Sequence, residues 1–360
     1  MSGAGQPFGV YVHVPFCASR CDYCAFATWT DRHHLASRYA RAVVAEAAGS
    51  HLEPATSLFV GGGTPSQLPA DLLAEVVAAV PLAPGAEVTV ECNPDDATEA
   101  MLATWRAAGV TRVSLGVQSL DPQVLAGLGR RHGPEAVAFS VALVRAAGFA
   151  SWNLDLIMGG AGEDERSWRR TLDGVLALGP PHVSAYCLTV EPGTPLAADP
   201  SRHPDEDQQA DRYLLADAAL GGAGLAWYEI SNWARPGHTC RHNRLYWEQG
   251  DYRGLGCAAH SHASGRRWWN VRTPERYCEL VEAGADPVAG EEVLDERARA
   301  DEALQLSLRT SRGVPAAALD ATDPALVRLV APSADRLVLT PRGRLLASEV
   351  ALRLRLSQPA

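Results

Sequence analysis

Residues 11–26 read YVHVPFCASRCDYCAF, and the cysteines in this stretch, Cys17, Cys21 and Cys24, determine how the rest of the chain is interpreted. Their spacing is CxxxCxxC, and thiolates are the usual ligands of iron–sulfur clusters. Three thiolates on one short loop leave the fourth iron of a cubane open to a substrate, whereas ferredoxins fill every iron. The alternative is a structural zinc site with His13 as the fourth ligand, although such sites usually have paired ligand spacing.

The composition is that of an ordinary globular protein: 360 residues, of which 47% are hydrophobic and 21% charged. The formal net charge is −10, whereas a protein that grips nucleic-acid phosphates usually has a basic surface, so we expect no nucleic-acid partner. All 32 basic residues are arginine, which excludes lysine-based Schiff-base and P-loop chemistry.

Residues 1–7 lack the basic segment of a secretion signal, and the eight cysteines do not suggest a disulfide framework. We therefore expect a cytoplasmic protein.

Short apolar runs alternate with helical patterns over the first half of the chain, which indicates a parallel α/β sheet. The predicted strands are 9–14, 57–60, 87–92, 112–117, 152–158 and 183–188, and the predicted helices are 33–48, 70–80, 99–108, 134–147 and 165–178. Six such units are compatible with an open sheet or with a partial barrel, and the pattern alone does not choose between them.

Polar features follow the first four predicted strands. These are the cysteine loop, the glycines at 61–63, the Asn-Pro-Asp segment at 93–95, and Gln118. In parallel α/β proteins the carboxyl ends of the strands carry the chemistry. We therefore expect these features to form one site.

The pattern changes after residue 192. A loop rich in proline and aspartate precedes a predicted helix at 208–220 and a strand at 227–230, and an aromatic stretch rich in Arg and His then runs to Trp269. The last segment predicts helices at 297–309 and 324–330, a strand at 336–339, a turn at Thr340–Pro341 and a final helix, which together are typical of a small winged-helix-like α/β domain. The predicted units are 1–200, 201–290 and 291–360.

Ordered motifs from about residue 9 to beyond Trp247 resemble the radical SAM superfamily, in which a [4Fe–4S] cluster binds S-adenosylmethionine (SAM). The segments YVHVPFCxxxCxYCxF, GGGTPS, ECNPD, SLGVQS, NLDLIMGG and HNRLYW resemble the oxygen-independent coproporphyrinogen III oxidase group, and within it the haem chaperone (HemW) branch. The resemblance implies a partial (β/α)6 TIM-like barrel. It also implies that SAM chelates the open iron and that one electron from the cluster cleaves a C–S bond to give a 5′-deoxyadenosyl radical.

The resemblance further implies a SAM site built from the strand ends. Glycines let the backbone approach a ligand closely, a carboxylate accepts hydrogen bonds, and an arginine can clamp the SAM carboxylate. An unpaired charge in the apolar strand around Asp155 is costly, so a ligand or an arginine must balance it. The residues assigned to SAM are Tyr11, Tyr23, Gly62, Gly63, Thr64, Glu91, Gln118, Arg130 and Asp155, with Arg131 as the alternative to Arg130. No residue is assigned as catalytic.

The segment HNRLYW is the HNxxYW signature of the chaperone branch. Histidine is a natural axial ligand of haem iron and aromatic residues can cover the macrocycle, so His242 is a candidate haem ligand. A structural pair of His242 and Asn243 is an equally good interpretation. The rival ligands nearby are His238, Cys240, His260 and His262.

One position separates the two branches of the group. The catalytic branch, which decarboxylates coproporphyrinogen III, carries a further cysteine two residues after the third, where this chain has Phe26. We therefore expect a chaperone with haem as cargo, an external electron donor for the cluster, and delivery to haem-requiring respiratory proteins at the membrane surface. An oxygen-independent coproporphyrinogen oxidase is the second hypothesis, and a radical SAM methyltransferase or haem-degrading relative is the third.

Overall fold

The structure, a computed structural model, describes residues 6–320 and 322–355. The strands in this part of the chain are β1 (Phe8–Val14), β2 (Ala55–Gly62), β3 (Leu82–Cys92), β4 (Arg112–Gln118), β5 (Ser151–Met158), β6 (His182–Cys187), β7 (Ala226–Glu229), β8 (Asn232–Ala234), β9 (Asp251–Leu255), β10 (His260–Ala263), β11 (Arg266–Asn270), β12 (Val288–Val293), β13 (Val314–Pro315), β14 (Val330–Ser333) and β15 (Arg336–Leu339). The α-helices are α1 (Ala36–Gly49), α2 (Ala70–Ala78), α3 (Glu99–Ala107), α4 (Pro122–Gly127), α5 (Pro134–Ala146), α6 (Glu165–Ala177), α7 (Glu206–Gly222), α8 (Arg241–Trp247), α9 (Pro274–Glu282), α10 (Glu296–Leu308), α11 (Pro341–Leu345) and α12 (Ala347–Ala351). None of these helices has both the length and the apolar character needed to cross a membrane.

The large sheet has 12 strands in the order β12-β11-β10-β9-β1-β2-β3-β4-β5-β6-β8-β7. Strands β1 to β6 are parallel and each is followed by at least one helix, as the alternating pattern predicts. The order does not return to its beginning, so the six units make an open, partial barrel. The predicted α/β fold is confirmed.

The parallel strands are apolar along nearly their whole length because both faces are covered. In β4 and β5 almost every residue is buried, which is typical of parallel sheets between helices and a filled interior. Val12 of β1, for example, lies opposite Val60 of β2 and Leu255 of β9. Fully buried tryptophans, including Trp105 and Trp168, fill the space between the sheet and its helices.

The neighbour of β1 on its outer side comes from far along the chain. Strand β9 pairs with β1 in parallel, and β10 to β12 continue the sheet as antiparallel strands. The Tyr39 hydroxyl of α1 joins the two regions, because it donates to His13 O at 2.8 Å and accepts the Cys257 N–H at 2.9 Å. Residues 226–293 therefore extend the large sheet.

The C-terminal segment has its own small core. Strands β13, β15 and β14 form an antiparallel sheet that packs with α10 and α12 through residues such as Leu308, Leu337 and Val350. The predicted helix at 324–330 is wrong. This stretch consists of turns, because Val330 already pairs with Leu339 across the β14–β15 hairpin and Thr340 N–H is bonded to Leu329 O at 2.9 Å. The predicted final helix is divided into α11 and α12.

Candidate functional site

The three clustered cysteines lie on the loop after β1, each half-buried and none in a disulfide. Backbone hydrogen bonds fix this loop: Cys17 N–H donates to Trp29 O at 3.1 Å and Cys24 N–H donates to Cys21 O at 3.2 Å. Trp29 N–H in turn donates to Pro15 O at 2.8 Å. The backbone of the chain itself thus sets the positions of the thiols.

Polar side chains approach two of the three sulfur atoms. The Thr64 hydroxyl donates to Cys17 Sγ at 3.5 Å, and Arg130 Nη1 donates to Cys21 Sγ at 3.5 Å. Burial raises the pKa of the Cys17 and Cys24 thiols, so both retain their protons at neutral pH in the free protein. Because a cluster takes thiolates, its binding must release these protons.

The glycine segment at the end of β2 lies directly against the cysteine loop. Gly62 has φ +111°, a conformation that favours glycine, and Gly63 N–H donates to Val14 O at 2.7 Å. A Cβ atom on Gly63 would lie 2.8 Å from the carbonyl oxygens of Val14 and Phe16 and 3.0 Å from Cys17 Sγ. Position 63 therefore has room for glycine alone, because the cysteine loop lies directly against it. The predicted close approach of this segment to a ligand remains a prediction.

Glu91, near the end of β3, points at this segment and accepts the Gly62 N–H at 3.2 Å. Burial and the neighbouring Asp155 carboxylate raise the pKa of Glu91 to about 8, although the bond from Gly62 opposes the rise. A carboxyl group in this state ionises when a cation binds beside it. The ammonium group of SAM is such a cation.

Gln118, at the end of β4, has two unusual features. Its backbone is left-handed, with φ +58°, which is uncommon for a residue other than glycine. Within residues 6–320 and 322–355 its buried Oε1 atom has no hydrogen-bond partner, and such an orphan acceptor costs about 1–3 kcal/mol. A ligand hydroxyl or ammonium group at this point would remove the cost.

The structure brings one of the two adjacent arginines into this group. Arg130 contacts Cys21 and also donates through Nη2 to Gly116 O at 3.0 Å and to Asn93 Oδ1. Arg131 is exposed. Arg130 therefore connects the cysteine loop to the ends of β3 and β4, where a SAM carboxylate is expected.

Asp155 is hydrogen-bonded within the protein. It accepts hydrogen bonds from the Ser114 hydroxyl at 2.8 Å and from Asn153 Nδ2 at 2.7 Å. Burial still leaves the pKa of Asp155 raised, although these bonds and the Arg112 guanidinium oppose the rise. The sequence predicts that a ligand or an arginine balances this charge. Arg112 acts on Asp155 only through its electrostatic field, because no ion pair joins the two side chains in the described ranges, and a contact of Asp155 with SAM remains a prediction.

Of the two tyrosines assigned to SAM, Tyr11 lies in β1 and Tyr23 lies in the cysteine loop itself. The Tyr11 hydroxyl is 3.1 Å from His13 Nδ1, and its ring stacks on Phe59 at 6.4 Å between centroids. Tyr23 packs against a small apolar cluster that includes Leu128 and lies beside Cys21. Phe59 is a contact that the sequence analysis missed, because strand periodicity does not show which ring it meets.

These residues fit a [4Fe–4S] cluster with SAM. Three thiols on one loop can ligate three irons, and the Gln118 oxygen and Glu91 carboxyl are acceptors for a polar, cationic ligand. No three His, Cys, Asp or Glu side chains of the described ranges converge as one metal ion would require, whereas a cubane takes each thiolate on a separate iron. The individual cofactor contacts remain predictions.

His242 is buried in α8, and both of its ring nitrogens are engaged. Nδ1 lies 3.0 Å from the Ser57 hydroxyl and Nε2 lies 2.8 Å from the Tyr246 hydroxyl. The ring also stacks on Phe59 at 5.6 Å, and burial lowers the pKa of His242 to about 3. Haem ligation by His242, which remains a prediction, would require one of these bonds to break.

A cavity of about 670 Å³ opens beside the cysteine loop, between β1, β9 to β11 and α10. Its walls include Tyr11 and Gly62, which are two of the residues assigned to SAM, together with Tyr246 of the HNRLYW segment and Phe26. Phe26 is 66% exposed, which is unusual for so large an apolar side chain. The HNRLYW segment therefore lines the cavity with Tyr246, whose hydroxyl is hydrogen-bonded to the buried His242.

The chain is similar to known proteins in both sequence and fold. The family model of the radical SAM superfamily matches residues 11–175. The chain is similar to "Heme chaperone HemW" of Mycobacterium tuberculosis, with 45% identity over 96% of this chain and 94% of that protein. It is also 38% identical to "Heme chaperone HemW" of Escherichia coli, over 71% of this chain and 70% of that protein.

A solved structure shares the fold at a lower level of sequence identity. The coproporphyrinogen III oxidase HemN from Escherichia coli, described as a radical SAM enzyme, superposes with a TM-score of 0.84 at 23% identity. The superposition covers 96% of this chain and 89% of that protein. At this identity the likeness shows the fold alone.

Proposed function

Since the chain belongs to the HemW family of radical SAM proteins, we propose that it is a haem chaperone, which binds haem and delivers it to proteins that require it. Respiratory proteins at the inner face of the membrane are the proposed recipients, and an external protein or small molecule is the proposed electron donor. The observation that carries the proposal is the cavity beside the cysteine loop.

The lining of the cavity suits a flat, apolar macrocycle with two carboxylates. Phe26, Tyr246 and Tyr252 provide aromatic surface, which packs well against another ring system. Arg272 also lines the cavity, where its guanidinium group can pair with a carboxylate of the macrocycle. Arg267, on the same wall, already pairs with Glu302 and would have to exchange that partner for a ligand carboxylate. The volume of about 670 Å³ is within the range of small-molecule and cofactor sites.

The chain also supplies the parts for the second site. The cluster and SAM, when bound, provide one-electron chemistry. Cys17, Cys21 and Cys24 hold the cluster, Gly63 lets the backbone approach, and Glu91 pairs with the SAM ammonium group. Because Tyr11 and Gly62 line the haem cavity as well, the two sites are adjacent.

The experiment uses anaerobically reconstituted protein, titrated with haem while the Soret band is recorded. The loaded protein is then mixed with an apo-haem protein, and transfer is followed by the shift of the Soret band. We expect one haem per chain and transfer to the acceptor. The same sample is assayed with coproporphyrinogen III, SAM and a reductant. Decarboxylation without specific haem binding would refute the chaperone and favour an oxidase that works without a cysteine at position 26.

A further inference from the structure

Three histidines line the haem cavity: His13, His260 and His262. In two of them, both ring nitrogens already take part in hydrogen bonds. His13 is buried, with Nδ1 3.1 Å from the Tyr11 hydroxyl and Nε2 2.9 Å from Ala27 O. His262 is also buried, with Nδ1 3.0 Å from Gly250 O, and its Nε2 accepts the Gly265 N–H at 3.1 Å. Neither can bind a metal ion without the loss of a hydrogen bond.

His260 differs from both. Its side chain is exposed, and within residues 6–320 and 322–355 no hydrogen bond to its ring nitrogens is found. Its ring stacks on Trp269, its partner across the β10–β11 pair, with 5.7 Å between centroids and 28° between planes. Desolvation by the surrounding protein lowers the pKa of His260 below its ordinary value, which favours the neutral imidazole that can act as a ligand. Trp269 holds the ring in one orientation without occupying either nitrogen.

His260 lies on the face of β10 that lines the cavity, close to aromatic side chains that can pack against a macrocycle. Successive side chains of a strand point to opposite faces, so His260 and His262 share one face of β10 and the buried Ser261 lies on the other. The face with the two histidines lines the cavity. The aromatic rings of Phe26 and Tyr246 line the same cavity.

We propose that His260, rather than His242, is the axial ligand that this chain offers to haem iron, with His242 acting as a positioning residue that holds Tyr246 in the cavity wall. This inference rests on the proposed haem-binding function. The imidazole donates a lone pair to the iron, and no bond within the protein has to break.

The test is a haem titration of the full chain at pH 7, with the Soret band and the electron paramagnetic resonance spectrum of the ferric complex as readouts. His260→Ala should weaken haem binding by about tenfold or more, the scale at which metal sites respond to the loss of a supporting group. It should also shift the Soret band, and added imidazole should restore the wild-type spectrum. The matched control is His34→Ala, because His34 is exposed and lies outside the cavity.

His242→Gln completes the set, because glutamine can keep bonds to the Ser57 and Tyr246 hydroxyls. We expect this variant to retain the wild-type ligand spectrum, with folding checked by circular dichroism. A His260→Ala protein with wild-type affinity and spectrum would overturn the inference, most directly if His242→Gln lost the histidine signature. A wild-type protein without haem binding would instead refute the proposed function, so the two failures are distinguishable.

Discussion

Substitution of Gly63 by alanine tests whether the contact between the glycine segment and the cysteine loop is as tight as the structure shows. The new Cβ would lie 2.8 Å from two carbonyl oxygens, and ordinary contact begins at 3.4 Å, so each oxygen would have to retreat by about 0.6 Å. Both oxygens belong to backbone that cannot rotate away. They also accept the hydrogen bonds from Gly63 N–H at 2.7 Å and Thr64 N–H at 2.8 Å.

The expected loss of stability is the sum of the steric overlap and the weakening of these two hydrogen bonds. Overpacking costs about 1–3 kcal/mol, and each of the two weakened backbone hydrogen bonds contributes up to about 1 kcal/mol, so we expect a loss of roughly 1–5 kcal/mol. The assay is urea unfolding of the apo protein, together with iron and sulfide analysis after anaerobic reconstitution. We expect less iron per chain, because Cys17 Sγ is the third atom displaced.

Gly221 provides the matched control. It lies in α7 with no atom within 4 Å of an added Cβ, so Gly221→Ala should stabilise the protein by about 0.5–1 kcal/mol. If Gly63→Ala unfolded at the wild-type urea concentration and bound iron normally, the steric reasoning would be refuted.

Three further predictions concern the sites and the core. The pKa of Glu91 is raised from 4.5 to about 8, so the folded protein holds a proton that the unfolded chain releases, and stability declines as pH rises from 4.5 to 8. Glu91→Gln should flatten this decline in urea unfolding at several pH values, and an unchanged slope would contradict the assignment. The Tyr277 hydroxyl donates to the buried Glu46 carboxylate at 2.6 Å, so Tyr277→Phe should lower the free energy of unfolding by about 1–3 kcal/mol, and a change below 0.5 kcal/mol would count against this bond. Phe26 is 66% exposed, so Phe26→Ala should change stability by no more than about 0.5 kcal/mol while haem dissociates faster in stopped-flow transfer, and wild-type dissociation would contradict its role in the cavity.

The sequence predicts the parallel half of the fold well, because local periodicity determines those elements. Strand 112–117 and helix 165–178, for example, differ from β4 and α6 by one residue each. The prediction fails at 324–330, where an apolar spacing that suits a helix is overridden by the pairing of Val330 with Leu339. Such pairing depends on residues that are distant in sequence, and so does the place of β9 beside β1.

The site is predictable in residue types and only partly in contacts. Cysteine spacing and the ends of strands identify the cluster loop, the glycines and Glu91. The sequence does not show that Arg130 rather than Arg131 reaches Cys21, since adjacent side chains point to different sides. Nor does it rank the candidate haem ligands, because the hydrogen bond between His242 and Ser57 joins residues 185 positions apart.

The position of β9 has a consequence for how the protein is made. A nascent chain that has been synthesised only as far as Trp247 contains every cysteine of the cluster loop but lacks β9, so β1 is then the outermost strand of the sheet. Its N–H and C=O groups on that side are open to other chains, and exposed edges of this kind promote aggregation. The hydrogen bond from the Cys257 N–H to the Tyr39 hydroxyl is also absent at this stage. The strand that carries the cysteine loop therefore gains its second neighbour only after residues 251–255 have been synthesised, long after the loop itself.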